Sequence, residues 1–209
     1  IVKRDIGDTL ITGTLAAGYN KHDALRVIDL GGGGTVNAES DFDTHFVSVE
    51  TDIAHTFDQD SWFIRPTVGT NVTYSHSSSF SENGAGVLGI DADSNSDVSV
   101  NMRAGFDVGG EIKTSRYCND ECTVIRPYAK IGYVHYLTDR NTTLNARFQG
   151  APAGTKFTTS TPVYEDYLDI NVGAELLNSD DTVVRIDYGA QISDNVTQQS
   201  ALLKIAIPF

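Results

Sequence analysis

Residues 197–209 read Thr-Gln-Gln-Ser-Ala-Leu-Leu-Lys-Ile-Ala-Ile-Pro-Phe. Counted back by twos, Phe209, Ile207, Ile205, Leu203 and Ala201 fall on one side, and Pro208, Ala206, Lys204, Leu202 and Ser200 on the other. Successive side chains of a strand point to opposite faces, so one face here is wholly apolar and the other carries a charge. A strand between lipid and a lumen reads this way. A strand closing a soluble sandwich gives the same alternation, so the weight of the pattern rests on its repetition at membrane-spanning length.

It repeats. Alternating segments occupy residues 9–20, 43–57, 62–75, 97–109, 123–138, 164–177, 182–192 and 197–209. Each is long enough for a tilted bilayer crossing, which takes about 9–11 residues. Between them, Lys21 to Asp41 (with Gly31-Gly32-Gly33-Gly34), Ser77 to Ser96 and Asp139 to Pro162 read as long loops, the last with a strand-like stretch from Leu144 to Phe148. Asp58-Gln59-Asp60-Ser61 and Asn178-Ser179-Asp180-Asp181 read as tight turns. Long and short connections therefore alternate for much of the chain, as in barrels with short periplasmic turns and longer outer loops.

The charges within strands keep to one face: Glu50, Asp52, Arg65, Arg103, Asp107, Lys130, Asp169, Glu175, Arg185, Asp187 and Lys204. The opposite face is Val, Ile, Leu, Ala and aromatics, with Tyr19, Phe57, Trp62 and Tyr74 near segment ends, where a membrane girdle places aromatic rings. Strands of a soluble sandwich average about 6 residues, shorter than these. The expected fold is all-β: a transmembrane, antiparallel, up-and-down β-barrel with eight strands in this chain.

Composition narrows the function. The chain has 209 residues, room for one large β domain, and a formal net charge of −13, which argues against a nucleic-acid surface. No apolar run reaches the roughly 18–20 residues of a transmembrane helix. Ile1 opens a charged stretch, Lys3-Arg4-Asp5, without a following apolar signal region, so the expectation is a removed signal or a start inside a longer protein.

Chemistry-bearing motifs are scarce. There is no Gly-x-Ser-x-Gly elbow and no His-Glu-x-x-His, and the five histidines are scattered; no catalytic residues, metal ligands or cofactors are expected. Asp91-x-Asp93-x-Asn95-x-Asp97 starts like a calcium loop but has Ser96 and Met102 where that loop needs Gly and Glu, so it reads as a solvated acidic loop. Cys118 and Cys122, in Cys-Asn-Asp-Glu-Cys, read as a loop-stapling disulfide in an oxidising compartment; without a second Cys pair or His partners they are a poor zinc signal.

Arg126-Pro127-Tyr128-Ala129-Lys130-Ile131-Gly132-Tyr133-Val134-His135 resembles the Pro-Tyr-x-Lys-x-x-Trp-x-His strand of autotransporter β-domains, with Tyr133 at the usual Trp position. The stretches 148–154 (Phe-Gln-Gly-Ala-Pro-Ala-Gly), 171–176 (Asn-Val-Gly-Ala-Glu-Leu) and 62–66 (Trp-Phe-Ile-Arg-Pro), and the terminal aromatic, are similar to the same family, over residues 60–209 and more loosely before. The resemblance implies the translocator of a type V secretion system in the bacterial outer membrane. In that family a barrel of twelve strands anchors in a membrane of lipid and lipopolysaccharide and exports its own N-terminal passenger. The resemblance also implies that the last strand, with Leu203, Ile205, Ile207 and Phe209, is the signal read by the barrel-assembly machinery.

Eight strands against twelve leads to a further expectation. An eight-stranded barrel has an interior just filled by side chains. The inward set here is small: Gly18, Ser48, Gly69, Asn71, Ser99, Gly105, Gly109, Gly132, Gly173 and Gly189. Residues 1–209 are therefore expected to be one barrel domain, N-terminally incomplete. The alternatives are a complete small barrel acting through its loops as an adhesin or structural protein, or a porin-like channel.

Overall fold

In the structure, a computed structural model, the described residues are 1–113, 124–138, 141–152, 154–162, 165–177 and 182–207. In chain order the strands are β1 (Val2–Ile6), β2 (Thr9–Asp29), β3 (Thr35–His55), β4 (Phe57–Gln59), β5 (Trp62–Ser77), β6 (Phe80–Ser81), β7 (Ile90–Ala92), β8 (Asn95–Gly110), β9 (Ile112–Lys113), β10 (Val124–Tyr136), β11 (Asn141–Phe148), β12 (Phe157–Pro162), β13 (Tyr167–Leu177), β14 (Val183–Ile192) and β15 (Thr197–Ala206).

The main sheet runs β1-β2-β3-β5-β8-β10-β13-β14-β15, with β4 and β9 as short additions beside β5 and β10. Every pairing is antiparallel and joins strands that follow one another along this path. This is the expected up-and-down meander. All eight expected strands are present. A ninth, β1, precedes them, turning into β2 at Gly7, whose φ of 58° suits a glycine in a tight turn. Among the described residues, β1 and β15 are not paired with each other.

The segment from Lys21 to Asp41 corrects an expectation. β2 and β3 stay in continuous register from Thr9↔His55 to Asp29↔Thr35, so only residues 30–34 form the turn. The turn is closed by Leu30 N–H donating to Gly34 O at 2.9 Å. The alternation persists through Ala24, Arg26 and Ile28 against Leu25 and Val27, but charges occur on both faces because the hairpin has left the apolar layer.

The inside-out character of the fold shows in its burial. Among the described residues no large side chain is fully buried, while Phe106 (53 %), Ile186 (56 %) and Leu203 (61 %) remain open on the apolar face. Water would oppose so large a continuous apolar surface; lipid does not. Register lines mark the edges of this surface. Tyr19↔His45, His45↔His76 and His76↔Ser96 make one polar and aromatic row across four strands. At the other edge lie His55, Phe57 and Trp62. From His45 to His55 the strand climbs about 33 Å at ~3.3 Å per residue, which at a tilt of ~40° spans about 25 Å, the height of a barrel's apolar band.

The long connections are not loose. β6, β7, β11 and β12 form a second sheet in the order β12-β11-β7-β6. β11 covers the stretch Leu144 to Phe148 expected to be strand-like; β6, β7 and β12 fall where only loop was expected. A two- or three-residue strand carries too little periodicity to be read from sequence.

Candidate functional site

The functional surface is the charged face of the main sheet. Residues of β5, β8, β10, β13, β14 and β15 wall one cavity of about 820 Å³, so the sheet curls with this face inward. Small residues and cross-strand register decide which charges meet there.

Arg103 on β8, Gly69 on β5 and Asp52 on β3 are in register across three strands. Arg103 Nε donates to Asp52 Oδ1 at 2.6 Å and Nη2 to Oδ2 at 2.5 Å, and Nη2 also donates to Glu50. Gly69 leaves the space for this contact: a Cβ there would lie 2.8 Å from Thr51 O and 2.9 Å from Arg103 Nε. Beside the cluster, Asn71 donates to Ser48 Oγ at 2.8 Å, and the Thr73 hydroxyl donates to Asn71 Oδ1 at 2.9 Å.

The next cluster centres on Asp107, 13 % exposed. Arg65 donates through Nε (3.1 Å) and Nη2 (2.7 Å) to Oδ2. Lys130 Nζ stands 3.8 Å from Oδ1. Further along the curl, Arg185 donates to both Asp187 oxygens, at 3.1 and 2.8 Å, and to the Tyr128 hydroxyl at 3.0 Å. Glu175 pairs with Arg126 at 3.7 Å, Asn171 donates to Asp169 at 3.3 Å, and Lys204 stands opposite Arg185 in the β14–β15 register.

Glycines on this face also seat aromatic rings. Phe46 lies over Gly18, Phe63 over Gly109 and Tyr128 over Gly173, each on the neighbouring strand. A Cβ on Gly109 would sit 2.6 Å from the Phe63 ring, and one on Gly173 2.6 Å from Tyr128 Cζ. Part of the space that small residues leave in the sequence is thus filled across strands. Such pairing covers exposed backbone and pins register.

Sequence reasoning missed a group of charges on the outer connections. Arg26 Nε donates to Glu82 Oε1 at 2.9 Å, and Glu82 Oε2 accepts the Ile90 N–H at 2.9 Å. Arg26 holds the Glu82 carboxyl below the usual carboxylate range. Asp91, from the calcium-like stretch, pairs with Arg147 at 2.9 Å, and Asp93 with Lys156 at 2.5 Å. The Ser81 hydroxyl first, then the Arg147 guanidinium, keep Asp91 below its ordinary value. Pairs 56 to 63 residues apart, such as Arg26–Glu82 and Asp93–Lys156, leave no local spacing to read. Cys118, Cys122 and Phe209 lie outside the described residues; Leu203 and Ile205 are open on the apolar face of β15, and Ile207 follows it. Among the described residues no three His, Cys, Asp or Glu side chains converge as a metal site would require.

A curled antiparallel sheet with an apolar outer face, aromatic edges and a charged concavity defines the class: a transmembrane β-barrel of the outer-membrane type. Residues 3–189 match the family described as the autotransporter beta-domain, and the chain belongs to that family. No curated protein matches it. Membership makes the chain an outer-membrane translocator domain, embedded in the membrane and serving export of a passenger segment.

Proposed function

We propose that the charged concavity is the lumen of the conduit and that the passenger passes along it. The observation that carries this reading is the cavity of about 820 Å³ walled by six strands and lined by Arg65, Asp107, Lys130, Arg185 and Asp187. Paired charges of both signs make a wet, sticky-free wall: no long apolar stretch holds a passing chain, and no single-sign field arrests it. Leu202 lines this cavity while Leu203, its neighbour, is on the opposite face of the same strand. A photo-crosslinking amino acid at Leu202 should capture a stalled passenger, and the same group at Leu203 should capture lipid. Passenger capture from Leu203 alone would reverse the facing.

The role is conduction and anchoring, with no reaction chemistry assigned to any residue. The surrounding partners are the outer-membrane lipid and lipopolysaccharide, met by the apolar band, and the barrel-assembly machinery, met by the last strand with Phe209 at its end. Strands N-terminal to β1 are proposed to close the barrel between β1 and β15. The unpaired edges of both, among the described residues, support this, because exposed edges in lipid leave backbone groups without partners. With nine strands along the main path of the sheet, a barrel of twelve needs about three more. Cys118 and Cys122 are proposed to be joined in the connection that contains them, as their short spacing and an oxidising periplasm favour.

A further inference from the structure

We infer that the outer connections form a latched lid across the mouth of the conduit, a regulation of the same site that rests on its reading as a passenger path. The face of β3 that carries Asp52 and Glu50 continues outward through Phe42, Ser40 and Ala38. That is the lumen-side face of the β2–β3 hairpin, and it is covered: Ala38 is 1 % exposed and Ser40 7 %, while Leu25 and Val27 on the other face are 59 % and 57 % exposed. The cover is the segment between β5 and β8. Phe80 stacks on Phe42 with ring centroids 5.2 Å apart, and Phe42 in turn stacks on His22 at 4.6 Å. Residues 78–83 run beside β3, bonded to it at Asp43–Ser78 and Glu39–Asn83, with Phe80 and Glu82 turned to the hairpin's inner face. The chain then folds back so that Leu88 O meets Arg26 on that face, the side of the opening and not of the lipid.

This segment is tied on both sides. Toward the hairpin, Glu39 and Asn83 exchange backbone hydrogen bonds of 2.9 and 2.7 Å. Glu82, 7 % exposed, is held by Arg26, which also donates to Leu88 O at 3.0 Å. Toward the segment between β10 and β13, β7 pairs with β11, and Gln149 donates to Glu82 O at 2.7 Å. Ala85, Ala92 and Ala146 are packed within the assembly. Most of the buried side chains among the described residues lie in this outer unit and not in the barrel wall, which makes it a folded cap. A carboxylate this buried is stable only while its guanidinium stays in place, so the Arg26–Glu82 pair is the point at which the cap opens or holds.

The test uses the full-length protein with its passenger. Glu39 and Asn83 face each other as a bridged cross-strand pair, so the double variant Glu39→Cys/Asn83→Cys can be locked by oxidation and released by reductant. The parent protein, which keeps Cys118 and Cys122, receives the same treatment as control. The lid predicts that the oxidised variant displays little new passenger at the cell surface and that reduction restores display, with the parent unaffected. Equal display in both redox states, with the crosslink verified by gel shift, overturns the lid. No display even when reduced, in a barrel that is folded by heat-modifiability, counts instead against the conduit reading. As an independent measure, Arg26→Ala should raise the single-channel conductance of the purified protein in planar bilayers. Unchanged conductance overturns the latch.

Discussion

Arg103 and Asp52 meet over Gly69, two strands apart, in a two-point contact that the intervening glycine makes room for. A side chain at position 69 has to displace either Asp52 or the guanidinium. Gly69→Val should therefore break the pair and leave a partly buried charge uncompensated, costing about 1–3 kcal/mol, the range for a charge-assisted hydrogen bond lost. Urea titration of the refolded barrel in lipid checks this. Gly69→Val with the wild-type midpoint would mean that the contact is not maintained.

Phe63 and Gly109 make the corresponding case for an aromatic ring. Gly109→Ala puts a methyl 2.6 Å from the Phe63 ring, and the ring must leave its seat. The expected cost is about 1–3 kcal/mol from overpacking, relieved in the double variant Gly109→Ala/Phe63→Leu. Trp62 is the single tryptophan and the neighbour of Phe63, so its emission reports the shift directly in the same samples.

Ile186 and Asp187 are adjacent on β14 and point to opposite faces. Ile186→Lys should cost about 2–4 kcal/mol on refolding into bilayers if position 186 lies near the midplane on the lipid side. Asp187→Asn should cost far less, since its face is already polar. Equal losses at the two positions would contradict the assignment of faces.

The strand positions, their antiparallel order and the segregation of charge were legible because a wall between lipid and water imposes a period of two on each strand. Arg65, Asp107, Lys130 and Arg185 could be placed on one face from that period alone. Their pairing could not: whether Arg103 meets Asp52 or a nearer acid depends on register, and on a glycine in the strand between the two partners. The outer cap, apart from Leu144 to Phe148, gives no strand signal in the sequence for a different reason. It is made of short strands from distant segments, with alanines as its packed residues, and alanine spacing carries no periodic signal. The sequence shows only the lower part of the β2–β3 hairpin because the apolar face ends at Tyr19, although the backbone pairing continues to Asp29.

Glu82 gives the cap a dependence on pH. Its folded-state carboxyl ionises below the usual range because of Arg26, so its contribution is fully present above the unfolded carboxylate value and is lost as pH falls through the lower folded value. Protection of residues 78–94 from hydrogen exchange should hold at neutral pH and decline in strong acid. Glu82→Gln should flatten that acid dependence while lowering protection at neutral pH. A parallel pH profile in the two proteins would place the acid effect elsewhere, for instance at Asp91.

The last strand carries the assembly prediction. Leu203 and Ile205 lie on its apolar face, and β15 is held to the sheet through β14 alone among the described residues. Its free edge offers N–H and C=O groups to another strand, which is what an assembly machine or a closing first strand can bind. In the sequence, Phe209 continues the same count by twos with an aromatic residue. Deleting Phe209, or replacing it by Asp, should leave synthesis intact and reduce the heat-modifiable barrel in the outer membrane. Leu203→Asp should do the same and also weaken the barrel refolded without any machinery, because its burden falls on the lipid face. Truncation at Phe209 should spare unassisted refolding into lipid. If both variants fail equally without the machinery, the terminal residue acts through barrel stability and not as a recognition signal.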